Sequence, residues 1–186
     1  LIENAVKRVN QGTSCALSRS GLTTDWWPEA MAIYCFFRNN VDVHTNGKTA
    51  FEQRYNEPFK GKLIPLGAEI TYVPHSQADK ERCHKYGPKR LEGIFKGYQQ
   101  EHGGGWTKQV YVIDSEELEN AENPSDVYHK QVPISEIIVK LDENGKHCFP
   151  VAEGLLKQPG VGDREQKIAE RRAEKKLARK EKLEET

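Results

Sequence analysis

The chain has 186 residues, room for one domain or two small ones, and its 28 Lys and Arg balance 28 Asp and Glu. A formal charge of zero gives no support to a nucleic-acid binder that works through bulk positive charge, though local patches can still act. Mean hydropathy is −0.79; Cys15, Cys35, Cys83 and Cys148 never form a Cys-x-x-Cys pair, which argues against a disulfide framework and for a reducing, intracellular setting.

No basic region followed by an apolar run opens the chain, so no signal peptide is read. Residues 1–20 form the first predicted helix. Ile2, Ala5, Val6, Val9, Thr13, Ala16 and Leu17 recur at the spacing of one helical stripe. Gly12 weakens its middle by roughly 1 kcal/mol relative to Ala, and Gly21 is a natural stop. A second helix over 25–40 starts with Thr24 or Asp25 as cap and Pro28 in the first turn. Trp26, Trp27, Ala30, Met31, Ile33, Tyr34, Phe36 and Phe37 cover nearly all its faces, as in a buried helix. It is too short to span a bilayer, so no membrane partner is expected. A buried helix with only one preceding segment to pack on, in a chain without an initiator Met, sets the expectation of a piece of something larger.

Thr49 and Glu52 are spaced as a capping box, opening a short helix that ends near Asn56. From Leu66 the period changes to two, and strands are predicted over 67–74, 93–99, 109–114, 127–132 and 146–151. Gly103-Gly104-Gly105 turns the second strand into the third as a hairpin. The acidic run over 115–126 reads as a solvated loop with one helical turn, and 133–140 as a short helix or a strand extension. Residues 163–186 are almost all Lys, Arg, Glu and Ala, a charged tail expected to be a frayed helix or disordered.

Several fragments then align. They are Glu3-Asn4-Ala5-Val6-Lys7-Arg8-Val9, Ser20-Gly21-Leu22, Trp27-Pro28-Glu29-Ala30, Arg38-Asn39, Gly47 to Glu52, Pro65-Leu66-Gly67-Ala68, and Gly93-Ile94-Phe95-Lys96-Gly97-Tyr98. Their order and spacing resemble the integrase region of copia-type LTR retrotransposon Pol polyproteins, over about residues 1–115 and more weakly to 150. Ala50 stands where that family usually has Pro.

The resemblance implies an α+β chain in four parts. Residues 1–48 would be a helical hairpin from the end of an RNase H-like catalytic core, and 49–65 a short helix and linker. Residues 66–152 would be a small antiparallel β-barrel-like domain, and 153–186 a linker and charged tail. It implies DNA integration by two Mg²⁺ (or Mn²⁺) ions held by two Asp and a Glu. By position Glu3 is the third acid, catalytic and metal-binding. The two aspartates are not in this stretch, and one carboxylate cannot hold two ions. This piece alone is therefore expected neither to bind metal tightly nor to catalyse strand transfer. The implied partners are DNA and other integrase subunits, in a nucleus or virus-like particle.

Lys7 lies one turn beyond Glu3, with Arg8 beside it, placed to meet a DNA backbone. Spacing alone reads Glu3 and Lys7 as an exposed i,i+4 pair. Lys85, Lys89, Arg90, Lys96 and Lys108, with Tyr98 and Trp106 interleaved, form a basic stretch suited to nucleic acid, or else a solvated face over a core. Cys83-His84 and His147-Cys148 lack zinc-ligand spacing. The alternative to an integrase piece is a non-catalytic, retroelement-derived module that binds nucleic acid or protein.

Overall fold

The computed structural model describes residues 2–160; the charged tail predicted over 163–186 lies outside the described residues. Ten elements are built on the two periods read above. They are α1 (Ile2–Ser20), α2 (Trp27–Val41), α3 (Ala50–Tyr55), β1 (Glu69–Tyr72), α4 (Gln77–Arg82), β2 (Leu91–Gln100), β3 (Trp106–Asp114), α5 (Ser115–Asn120), β4 (Lys130–Pro133) and β5 (Ile137–Val139).

The fold is α+β, with one open five-stranded antiparallel sheet in the order β4-β3-β2-β1-β5. The barrel-like closure expected from the sequence does not occur. Closure needs edge strands long enough to tilt and pair. Here the edges β4 and β5 have 4 and 3 residues, and a short edge also resists pairing with a foreign strand. The β2–β3 hairpin forms as predicted, with Gly103 at φ 109° and Gly104 at φ 87° supplying its left-handed turn. The strand predicted over 146–151 is absent: Phe149 to Glu153 closes a turn instead, through Glu153 N to Phe149 O at 2.9 Å. The edge strand comes from 133–140, where a 3₁₀ turn at Ile134–Glu136 leads straight into β5.

The α2 helix finds its neighbours downstream. Trp26, Ala30, Ile33 and Phe36 enter one hydrophobic core with Leu66, Ile70, Ile94, Phe95, Tyr98, Val110 and Val112 of the sheet side. Phe36 stacks on Tyr98, with centroids 4.1 Å apart and planes at 15°. The Tyr98 hydroxyl accepts from Ile64 N at 2.7 Å and donates to Lys62 O, so the connector before β1 is tied to the same ring. Burial is not uniform around α2 as predicted: Trp27 is 54% exposed. Nor do Thr24 or Asp25 cap it; they belong to a 3₁₀ turn, Thr24–Trp26, and the Asp25 carboxylate accepts from the Thr23 hydroxyl.

The α1 helix packs against α2, and its buried residues lie in its second half: Thr13 and Ser20 are buried and Ala16 and Leu17 half-buried. Gly12 has a structural reason: a Cβ there would lie 2.0 Å from the Tyr34 ring. The first half of the predicted stripe is open, with Ile2 81% and Val6 54% exposed. The capping box of α3 forms in both directions, Glu52 N to Thr49 Oγ1 at 3.2 Å and Thr49 N to Glu52 Oε2 at 3.0 Å.

Candidate nucleic-acid interface

Glu3, Lys7 and Arg8 stand exposed on the first two turns of α1, close to its unpartnered apolar residues. No group of three His, Cys, Asp or Glu side chains capable of holding a metal occurs among the described residues. Glu3 therefore does not by itself fit a metal centre. The four cysteines are free thiols.

The basic stretch separates into two kinds of cation. Arg90 lies half-buried at the entry to β2. Its guanidinium donates to Thr71 Oγ1 at 3.1 Å, to Thr71 O at 3.2 Å and to Glu136 O, stitching β1 to the turn before β5. Lys96 pairs with Glu29 of α2 at 3.2 Å, sits 5.5 Å from the Trp26 ring centroid, and meets His129 Nδ1 at 3.3 Å. Burial, reinforced by that ammonium, holds the His129 imidazolium below its usual range, so the ring is neutral at pH 7 and Nδ1 accepts. Arg90 and Lys96 are thus fastened within the fold.

Lys85, Lys89 and Lys108 are exposed. Lys108 sits on β3 with φ 63°, next to the hairpin irregularity. Lys85 and Lys89 share the loop between α4 and β2, where the Lys89 ammonium donates to His84 O and Lys85 O, both at 2.8 Å.

That loop hangs from a charged cluster absent from the sequence reading. Asp114, fully buried, caps α5 through Glu116 N at 3.0 Å and Glu117 N at 3.1 Å. It also accepts from Tyr72 Oη at 2.7 Å and Arg82 Nη2 at 3.1 Å. Arg82 further meets Glu116, and Asp79 at 3.4 Å. Lys130 closes the ring, 2.6 Å from Asp79 and 2.7 Å from Glu117. The run over 115–126 is therefore not simply solvated: its first turn is α5, and its acids answer cations from α4 and β4.

The titrations follow. Burial, then the hydrogen bond to Asp114, pushes the Tyr72 phenol far above its usual range. Burial opposes ionisation of Asp79, but Lys130, Ser76 and Arg82 outweigh it and hold the carboxyl below the usual range. Burial likewise opposes the Lys130 charge, and Asp79 and Glu117 reverse it. A sequence signal that could have found it is Ser76-Gln77-Ala78-Asp79, which has capping spacing; Asp79 N bonds Ser76 Oγ at 3.1 Å.

A cleft of about 310 Å³ separates α2 from the sheet, lined by Pro28, Ile33 and Phe36 on one side and Gly97, Tyr111 and His129 on the other. The Glu29–Lys96 pair divides it from a more polar hollow of about 590 Å³ that reaches Asn123 and Ser125. No helix among the described residues is long and apolar enough to cross a membrane. Comparison with protein-family models, curated proteins and solved structures gives no match for this chain.

Proposed function

We propose that this chain is the carboxy-terminal part of a copia-type retrotransposon integrase. It supplies the last metal-binding acid of the core, Glu3, and a surface that holds DNA. One observation supports the reading: most fragments behind the resemblance lie in or at the ends of regular elements, although Pro65 to Ala68 fall in the turn before β1 and not in the strand expected there. Glu3 lies on a helix, and Trp27-Pro28-Glu29-Ala30 opens the next. Thr49 and Glu52 form a reciprocal cap, Pro65 to Ala68 lead into a strand, and Gly93 to Tyr98 lie within one. The open apolar half of α1, beside Glu3, agrees with a helix whose first turns pack on core elements preceding it.

The DNA role rests on Lys7, Arg8, Lys85, Lys89 and Lys108, which face outward. Phosphate contacts of this kind position DNA without reading its sequence. Fluorescence anisotropy with labelled duplex tests it: the slope of log K against log salt should be about −0.9 per phosphate contacted. No binding at low salt would remove the DNA role. In the intact enzyme, Glu3→Gln should abolish strand transfer and leave duplex binding unchanged. Strand transfer by that variant would overturn the assignment of Glu3.

A further inference from the structure

Five cations stand against one acid over Lys80–Arg90, in a chain that is neutral overall. The two arginines anchor the ends of the segment. Arg82 turns inward to Asp114 and Asp79, and Arg90 turns inward to Thr71 and the Glu136 carbonyl. Between these anchors the loop braces itself. Lys89 Nζ bridges two carbonyls, Gly87 N donates to His84 O at 3.2 Å, and Tyr86 N donates to His84 Nδ1 at 3.2 Å.

What this scaffold holds out is Tyr86. Its side chain is 85% exposed, the highest value among the exposed large apolar and aromatic residues of the described chain. The Lys85 ammonium lies 5.4 Å from its ring centroid, and the His84 ring 6.2 Å away. A tyrosine ring in water, on a loop whose backbone is braced at both ends and with the Lys85 ammonium beside it, offers a flat π-face to a ligand.

We infer that the Cys83–Arg90 loop is a stacking platform for an unpaired nucleobase, with Tyr86 as the stacking ring and Lys85 and Lys89 on the flanking phosphates. Bases inside a duplex already stack on each other and present only their edges; a free base face exists in single strands and at frayed ends. The platform therefore selects single-stranded or frayed DNA over blunt duplex. It deepens the proposed DNA role, on which it rests for the identity of the ligand.

The test uses labelled single strands in two forms, one normal and one carrying a run of abasic sites, and a blunt duplex. Tyr86→Ala should weaken binding of the normal strand by roughly 5- to 150-fold, the range that stacking of one base supplies. It should leave the abasic strand and the duplex unchanged, and Tyr86→Phe should restore binding. Lys85→Gln and Lys89→Gln should weaken all three probes and each lower the salt slope by about 1. Equal affinity of Tyr86→Ala and the unaltered chain for the normal strand would overturn the inference. Duplex binding that persists in that case leaves the broader DNA role standing. Base-dependent binding of the single strand without any duplex binding would do the reverse.

Discussion

Replacing Arg82 by Met keeps the apolar stem and deletes the guanidinium that Asp114, Asp79 and Glu116 share. Removing one partner of a fully buried ion pair costs about 3–5 kcal/mol, because the other charge is stranded. Asp114 would not be wholly stranded. It keeps Tyr72 Oη at 2.7 Å and two backbone amides of α5. The Arg82 side chain is also 30% exposed, so water screens part of the interaction. These two facts lower the expected loss to about 2–3 kcal/mol.

Glu116 offers the contrast within the same cluster. Its side chain is 66% exposed, so Glu116→Gln should cost under about 1 kcal/mol although it touches the same guanidinium. Combining Arg82→Met with Asp114→Asn should show positive coupling of about 1–3 kcal/mol, since neither partner is then left alone. Urea unfolding followed by circular dichroism at pH 7 measures the parent, Arg82→Met, Asp114→Asn, their double variant and Glu116→Gln, and the m-value should not change. Arg82→Met within about 0.5 kcal/mol of the parent, or no costlier than Glu116→Gln, would refute burial as the source of the difference.

Phe36→Ala removes the ring stacked on Tyr98 and should cost about 3–5 kcal/mol in the same unfolding assay. Tyr98→Phe leaves Ile64 N–H and Lys62 C=O without their partner. It should cost about 1–3 kcal/mol and speed amide exchange at Ile64. Asp79 has a folded pKa below its unfolded value of about 3.9, so its stabilising contribution is complete above that pH and disappears as pH falls through the folded value. Acid titration of stability should therefore be shallower in Asp79→Asn than in the parent, and identical acid limbs would contradict the Lys130 and Arg82 pairing.

Local signals carried much of the fold. Thr49 and Glu52 name their own cap, and Gly103 to Gly105 their own turn, because the partners lie within a few residues. Long-range pairing was not legible. The apolar coverage of α2 asked for neighbours, and the chain before it supplied only one; its main partner, Tyr98, lies 62 positions beyond Phe36 in the sequence. Alternation also failed where β2 slips register between Phe95 and Gly97. There Lys96 points toward Glu29 instead of standing free, and no composition count separates those outcomes. The Asp79–Arg82–Asp114 cluster joins segments 32 or more residues apart and was missed; the capping spacing at Ser76 would have located its Asp79 end alone.

Neutral net charge and the proposed DNA-facing lysines are compatible here because the inward cations other than Arg90, which is held by Thr71 and a carbonyl, bring their own anions. Arg82 is matched by Asp79, Asp114 and Glu116, Lys130 by Asp79 and Glu117, and Lys96 by Glu29. Within these clusters the acids cancel fields that would otherwise repel within the fold. The lysines facing outward, Lys80, Lys85 and Lys89, keep their charge on the solvent side of that cluster. At physiological salt the Debye length is about 8 Å, so a phosphate close to the loop feels those ammonium groups more strongly than carboxylates farther inside. Charge neutralised beneath the surface and left unneutralised above it is an arrangement that net charge cannot report. For the proposed DNA binding, the salt slope, more than the isoelectric point, is the quantity that measures this surface.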